Sequence, residues 1–322
     1  MQRTSAVMPA RALDEKKGEE AGSRPYPLLA VFAWELCYRL ASRSSKILVA
    51  LAFVLFLLVS AVSTYNISPT KGLFAPSTTM LGIVVQVLYN LLLPFSICVP
   101  FLTADTVAHD YKQRVHELLM TTAVPTRAYV WGRYLAGLCA SLLFSLLMLL
   151  GVLGSGLLWH LIIHPSPQYK DVVAVYPLPD LATLILTWVF CILPVALLLS
   201  GLSFVCSTLW PRASGRVKMF VLLGWIACLL FVTPRFLGPN MAWDPTGNAI
   251  AGTLLGQYQA TYRLLAAHMT SLAQRQDLAY TLAQHIPDFV SRLFPHLVYG
   301  LVGLACATLA ALCFRRFRDM LN

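Results

Sequence analysis

The chain has 322 residues, of which 58% are hydrophobic and 12% charged, with a mean hydropathy of +0.69. A soluble domain carries about 25% charged residues, so these are too few to clothe a water-soluble globule of this size, and disorder and collagen are excluded on the same composition. The net charge of +10 leaves nucleic acid or the cytoplasmic face of a bilayer as its reason, and the positions of the charges decide between them.

Residues 1–30 are polar and include DEKKGEE. They read as a disordered cytoplasmic tail, with no apolar signal-peptide core before residue 47. From 31 to 46, apolar and basic positions alternate at helical spacing. Val31, Trp34, Leu36, Cys37 and Leu40 form one face; Glu35, Arg39, Arg43 and Lys46 supply the polar side. This pattern predicts an interfacial helix, with Arg39, Arg43 and Lys46 at the headgroups.

Six apolar segments follow, at 47–63, 80–103, 134–163, 181–207, 219–234 and 296–314, and none contains Asp, Glu, Lys or Arg. A helical span needs about 20 such residues. The expected fold is therefore an all-α membrane protein with six transmembrane helices. With the N-terminus inside, the inner segments hold 8, 4, 3 and 3 Lys/Arg, which is 18 of the 24. The outer segments hold the remaining six. That bias places both termini in the cytoplasm. The basic groups at Arg212, Arg216 and Lys218 and at Arg315, Arg316 and Arg318 are topology anchors, and no nucleic-acid partner is called for.

Within the spans, Gln86 and Asn90 are four residues apart in span two. They read as interhelical hydrogen-bonding groups or as the lining of a substrate path. Pro94 and Pro100 follow and can kink that span. Ser155 lies between Gly154 and Gly156 but lacks the earlier glycine of a nucleophile elbow, so it reads as close helix packing. His160 and His164 share a helix face near the end of span three and could hold a metal or haem. All eight cysteines lie in or beside spans, which excludes a disulfide framework.

The outer loop 235–295 has room for structure. Asp244 followed by Pro245 predicts a helix start. Leu254, Leu255, Tyr258, Tyr262 and Leu265 then mark an amphipathic helix, with a second from about 268 to 286. They lie on the outer surface or cap a pathway.

The inner loop 104–133 reads ADTVAHDYKQRVHELLMTTAVPTRAYVWGR and crowds its ionisable residues between Asp105 and Glu117. A short helix there, ending near Thr121, suits docking of a cytosolic partner. The loop resembles the signature of ABC transporter permeases of the type-2 exporter class, roughly E-R-x-x-G-T-x-E-x-L-L-x-x-P-V-x-x-x-x-I-V-x-G-K. Asp110 and Glu117 fall on its acidic positions, Leu118 and Leu119 near its leucine pair, Val124 on its valine and Gly132-Arg133 on its closing pair. Arg114, Val115 and Ala123 stand where that family has Gly, Thr and Pro. The interfacial helix, the six spans and the long outer segment extend the resemblance over about residues 31–318.

The resemblance implies a permease domain over 31–322 in a bacterial inner membrane, paired with a second permease copy. It implies a separate cytosolic P-loop ATPase that holds ATP and Mg. Asp110, Arg114, His116, Glu117, Leu118 and Arg133 would couple to that ATPase, alongside the helix of Trp34, Glu35, Arg39 and Arg43. The residues agree on the energy source. No Gly-Lys dipeptide occurs, so no phosphate loop does, and the spans lack the carboxylates of a proton-driven carrier. No cofactor and no catalytic residue is expected in this chain, which is read as a non-enzyme. Two other readings stand beside this one: a membrane-embedded metal or haem protein or enzyme using His160 and His164, and a non-transporting scaffold that recruits an ATPase.

Overall fold

The structure is a computed structural model. It describes residues 27–41, 43–65, 79–104, 124–163, 179–232, 243–286 and 288–320. Among these, all regular structure is helical. Helix α1 is Pro27–Ala41 and α2 is Arg43–Tyr65. Helix α3 is Met80–Thr103, α4 is Thr126–Ile163 and α5 is Leu181–Leu209. Helix α6, Ser214–Ala227, runs on into a π-helical turn at Cys228–Val232. Helices α7, Asn248–Ala266, and α8, Leu272–Gln284, form the segment between the last two apolar runs. Short α9, Phe289–Leu293, and a 3₁₀ turn, Phe294–His296, lead into α10, Leu297–Met320.

Four of these helices are long and apolar enough to cross a membrane: α3, α4, α5 and the run Val290–Phe314. The protein has multi-pass transmembrane character. The apolar run expected at 47–63 is helical as well, in α2, and so are residues 219–232 of the run expected at 219–234, in α6 and the π-helical turn after it.

Helix α3 is the most enclosed, with Ile83, Val84, Val87, Leu91, Phe95 and Val99 fully buried. It packs on α4 and α5. The α5–α10 contact is the most extensive and depends on glycine. A Cβ on Gly201 would collide with the Gly303 backbone, and one on Gly303 with that of Leu197. Such close backbone approach is how helices associate in lipid, where no hydrophobic force drives them together. Helices α2 and α4 meet the same way: Gly151 lies against Phe56, and Ser155 bonds to Ser60 across the contact at 2.5 Å.

Helices α1 and α7–α8 lie at opposite ends of the bundle. Helix α1 reaches the close of α3 at Leu102, whereas α7 and α8 pack on its beginning. Helix α7 starts at Asn248, three residues later than the Asp-Pro pair predicts. Residues 244–247 instead form a buried turn, with Gly247 at φ 70° as N-cap. The Asp244 carboxylate still caps the helix from that turn, accepting from the Thr246 and Ala249 amides at 2.9 and 2.7 Å. Of the predicted apolar face, Leu254 and Tyr258 are buried, but Leu265 is exposed. Burial pushes the Tyr258 phenol up, so it remains a donor, here to the Ala279 carbonyl at 3.3 Å. All eight cysteines are free thiols.

Candidate functional site: the Glu35 junction

Glu35 is the one carboxylate of helix α1. It is 3% exposed. A buried charge needs a partner, because several kcal/mol of desolvation per ion must be offset. Glu35 has two partners. Arg39, one turn on, donates from Nε to Oε1 at 2.8 Å. Arg133, 98 residues away at the start of α4, donates from a terminal nitrogen to Oε2. Arg39 also donates to the backbone carbonyl of Leu102. That carbonyl belongs to the last turn of α3, where carbonyls lack helical partners and a cation is favoured.

Aromatic rings flank the cluster. The Arg133 guanidinium lies 5.3 Å from the Trp34 ring centroid and 5.5 Å from that of Tyr129. A delocalised guanidinium suits such a site better than an ammonium would. Gly132 lets α1 approach, since a Cβ there would stand 2.8 Å from Val31 Cγ1 and 3.2 Å from the Leu28 carbonyl oxygen. One carboxylate thus fastens α1 to the end of α3 and the start of α4. Segment 105–123 leaves the first of these and returns to the second. The arrangement fixes the positions of α1, α3 and α4 relative to one another.

Several sequence expectations are placed by this geometry. Arg39 turns inward to Glu35 and Leu102, not to the headgroups, because Glu35 needs its charge. Trp34, Cys37 and Leu40 are exposed as expected, and Lys46 is exposed. Arg133, expected among the ATPase-facing residues, is 6% exposed and bound within the junction. Asp110, Arg114, His116, Glu117 and Leu118 lie outside the described residues, as do the Arg43 side chain and His164. Helix α1 starts at Pro27, and the rest of the expected tail lies outside them too.

Gln86 and Asn90 part company. Gln86 is 4% exposed, and its amide nitrogen donates to the Ser60 carbonyl at 3.0 Å and to the Ser60 hydroxyl. Asn90 is exposed. A π-helical turn at Gln86–Leu91 sets their relative direction; its wider turn departs from α-helical spacing.

Sequence reasoning missed Tyr129 and the Leu102 carbonyl, for which no local pattern exists. It also missed a buried pair at the other end, Asp244 and His296, each 0% exposed. There the signal was present: an imidazole at the mouth of an apolar run. Among the described residues, no group of three or more His, Cys, Asp or Glu gathers in a way that could hold a metal ion.

No family model, no curated protein and no solved structure matches this chain.

Proposed function

We propose that this chain is the membrane-spanning permease subunit of an ATP-driven exporter of the type-2 ABC class. In this reading it has six spans and both termini in the cytoplasm of a bacterial cell. A separate cytosolic ATPase binds segment 105–123 through Asp110, Arg114, His116, Glu117 and Leu118, and holds the ATP and Mg. The observation that carries the reading is the Glu35 junction. It binds α1 to both flanks of that segment, so a push on the segment reaches α1, α3 and α4 as one unit. Arg133 serves inside the unit, passing displacement from the segment to the helices.

Asn90 supports a second permease copy. It presents an amide on the surface of α3, where hydrocarbon offers no hydrogen-bond partner. A seam between two copies, or a water-lined path along it, supplies one. In this reading Asn90 faces that path, and Gln86 stays inside the subunit.

The test is co-purification of the full chain with a P-loop ATPase, followed by ATPase and vesicle-transport rates. Arg114→Ala and Glu117→Ala are expected to weaken capture of the ATPase or uncouple hydrolysis from transport. Capture and coupling equal to wild type in both variants refute the coupling assignment. Hydrolysis with no transport of any candidate cargo favours the scaffold.

A further inference from the structure

His296 ends the 3₁₀ turn that leads into α10 and is fully buried. Neither of its ring nitrogens makes a hydrogen bond of normal geometry; the partner at hand is Asp244, whose backbone and charge both act on the ring. Buried polar side-chain atoms are well paired in the large majority of cases, so an imidazole held this loosely requires an explanation. An ionisable side chain at membrane depth is moreover a functional-site candidate by default.

The surroundings define what this ring can do. Asp244 sits in the buried turn that seats α7 on the bundle. Its carboxylate already accepts from the Thr246 amide (2.9 Å), the Thr246 hydroxyl (2.7 Å) and the Ala249 amide (2.7 Å). Tyr299 packs edge-on to the imidazole at 6.1 Å, but its hydroxyl donates to the Trp243 carbonyl. From α3 and α6, Tyr89 and Cys228 approach Asp244. The part of α5 packed on this turn carries Cys191. On α9, Arg292 turns away to Gln257 at 3.1 Å. No second carboxylate faces the ring among the described residues.

We propose that His296 is a proton-binding site whose occupancy decides whether the turn at 243–247 and helix α7 stay seated on the bundle. The neutral ring fits as an aromatic wedge. A protonated ring has two N–H donors and a charge to place, and the seat offers the Asp244 backbone for one donor and a carboxylate already engaged by three others. The proton comes from water at that face of the bundle. Its uptake goes with withdrawal of the turn, which brings the imidazolium to solvent. The seated state is therefore favoured most at neutral pH and weakened as pH falls through the ordinary histidine range. This inference does not depend on the exporter reading.

The test uses the full chain in lipid nanodiscs. Amide hydrogen exchange along 248–255 is compared with chemical exchange at pH of about 7.5 and about 5.5. A solvated imidazole titrating near 6.5 predicts about a tenfold loss of protection in wild type between those values. His296→Phe and His296→Gln are each expected to abolish that loss; two variants are used because the seat is close packed. His268→Gln and His285→Gln, at exposed positions, are expected to keep it. Protection that is flat with pH in wild type overturns the proposal. So does a pH response that survives in either His296 variant seated as wild type at pH 7.5.

Discussion

Glu35 shows how much one carboxylate can decide. With both arginines in place its charge is compensated; without it, two guanidinium groups are left facing each other and Trp34. Removing one partner of a buried ion pair costs about 3–5 kcal/mol. Glu35→Ala is therefore expected to lower the thermal midpoint of the full chain in detergent sharply. Replacing the set together, Glu35→Leu with Arg39→Met and Arg133→Met, is expected to recover most of that loss, because an apolar cluster needs no compensation. A Glu35→Ala protein as stable as wild type would show that water reaches the carboxylate. The pairing with Arg39 was open to the sequence, since the two stand four residues apart on a helix, but the helical pattern alone puts Glu35 on the polar side of an interfacial helix. The second partner was not legible, because Arg133 is 98 residues away and becomes a neighbour only when α1 folds back on α4. The motif position of Arg133 suggested a partner-facing role. Its side chain is packed against Trp34 and Tyr129.

At the level of elements, apolar runs without charge were enough to place the helices, because a backbone in hydrocarbon must satisfy its own hydrogen bonds. How those helices touch depends on single residues. The α5–α10 crossing has no room for a side chain at Gly303. Gly303→Leu is expected to force the helices apart and cost at least about 1–3 kcal/mol, as overpacking does, read as loss of folded material on size exclusion; an unchanged profile and midpoint would refute the close contact. The turn before α7 is equally exacting. Gly247 has φ 70°, and a Cβ there would lie 2.8 Å from Leu88 Cδ2. Gly247→Ala is expected to cost about 1–2 kcal/mol from the left-handed backbone alone and to speed proteolysis of α7. The sequence placed the helix start at Asp244 because Asp-Pro is a start signal. The carboxylate does cap α7, but from a turn farther back. The π-helical turns at Gln86–Leu91 and Trp188–Ile192 stand just before Pro94 and Pro194, whose missing N–H groups free a carbonyl one turn back, so a proline marked the place without showing the form.

For the whole molecule, the proposed orientation puts α1 and α7–α8 on opposite sides of a bilayer. Lys46 is exposed near the start of α2, the helix that follows α1, and Ser271 is exposed just before α8. A membrane-impermeant maleimide is expected to label Ser271→Cys in intact cells and Lys46→Cys only after the membrane is opened. Labelling of both from one side would contradict the topology. The two ends also differ mechanically. At the α1 end, an ion-paired cluster ties three helices together. Toward the other end, α3, α5 and the helix of α6 each contain one π-helical turn, at Gln86–Leu91, Trp188–Ile192 and Cys228–Val232. The first carries Leu88, which packs under Gly247, and the second packs on the turn of His296. Such turns trade regular hydrogen bonding for slack and are frequent at functional sites. The bundle thus resembles a set of rods clamped at one end and jointed near the other. In the proposed reading, a small tilt imposed at the clamp would emerge as a larger lateral spread at the joints, so the end farthest from the applied force would be the end that opens.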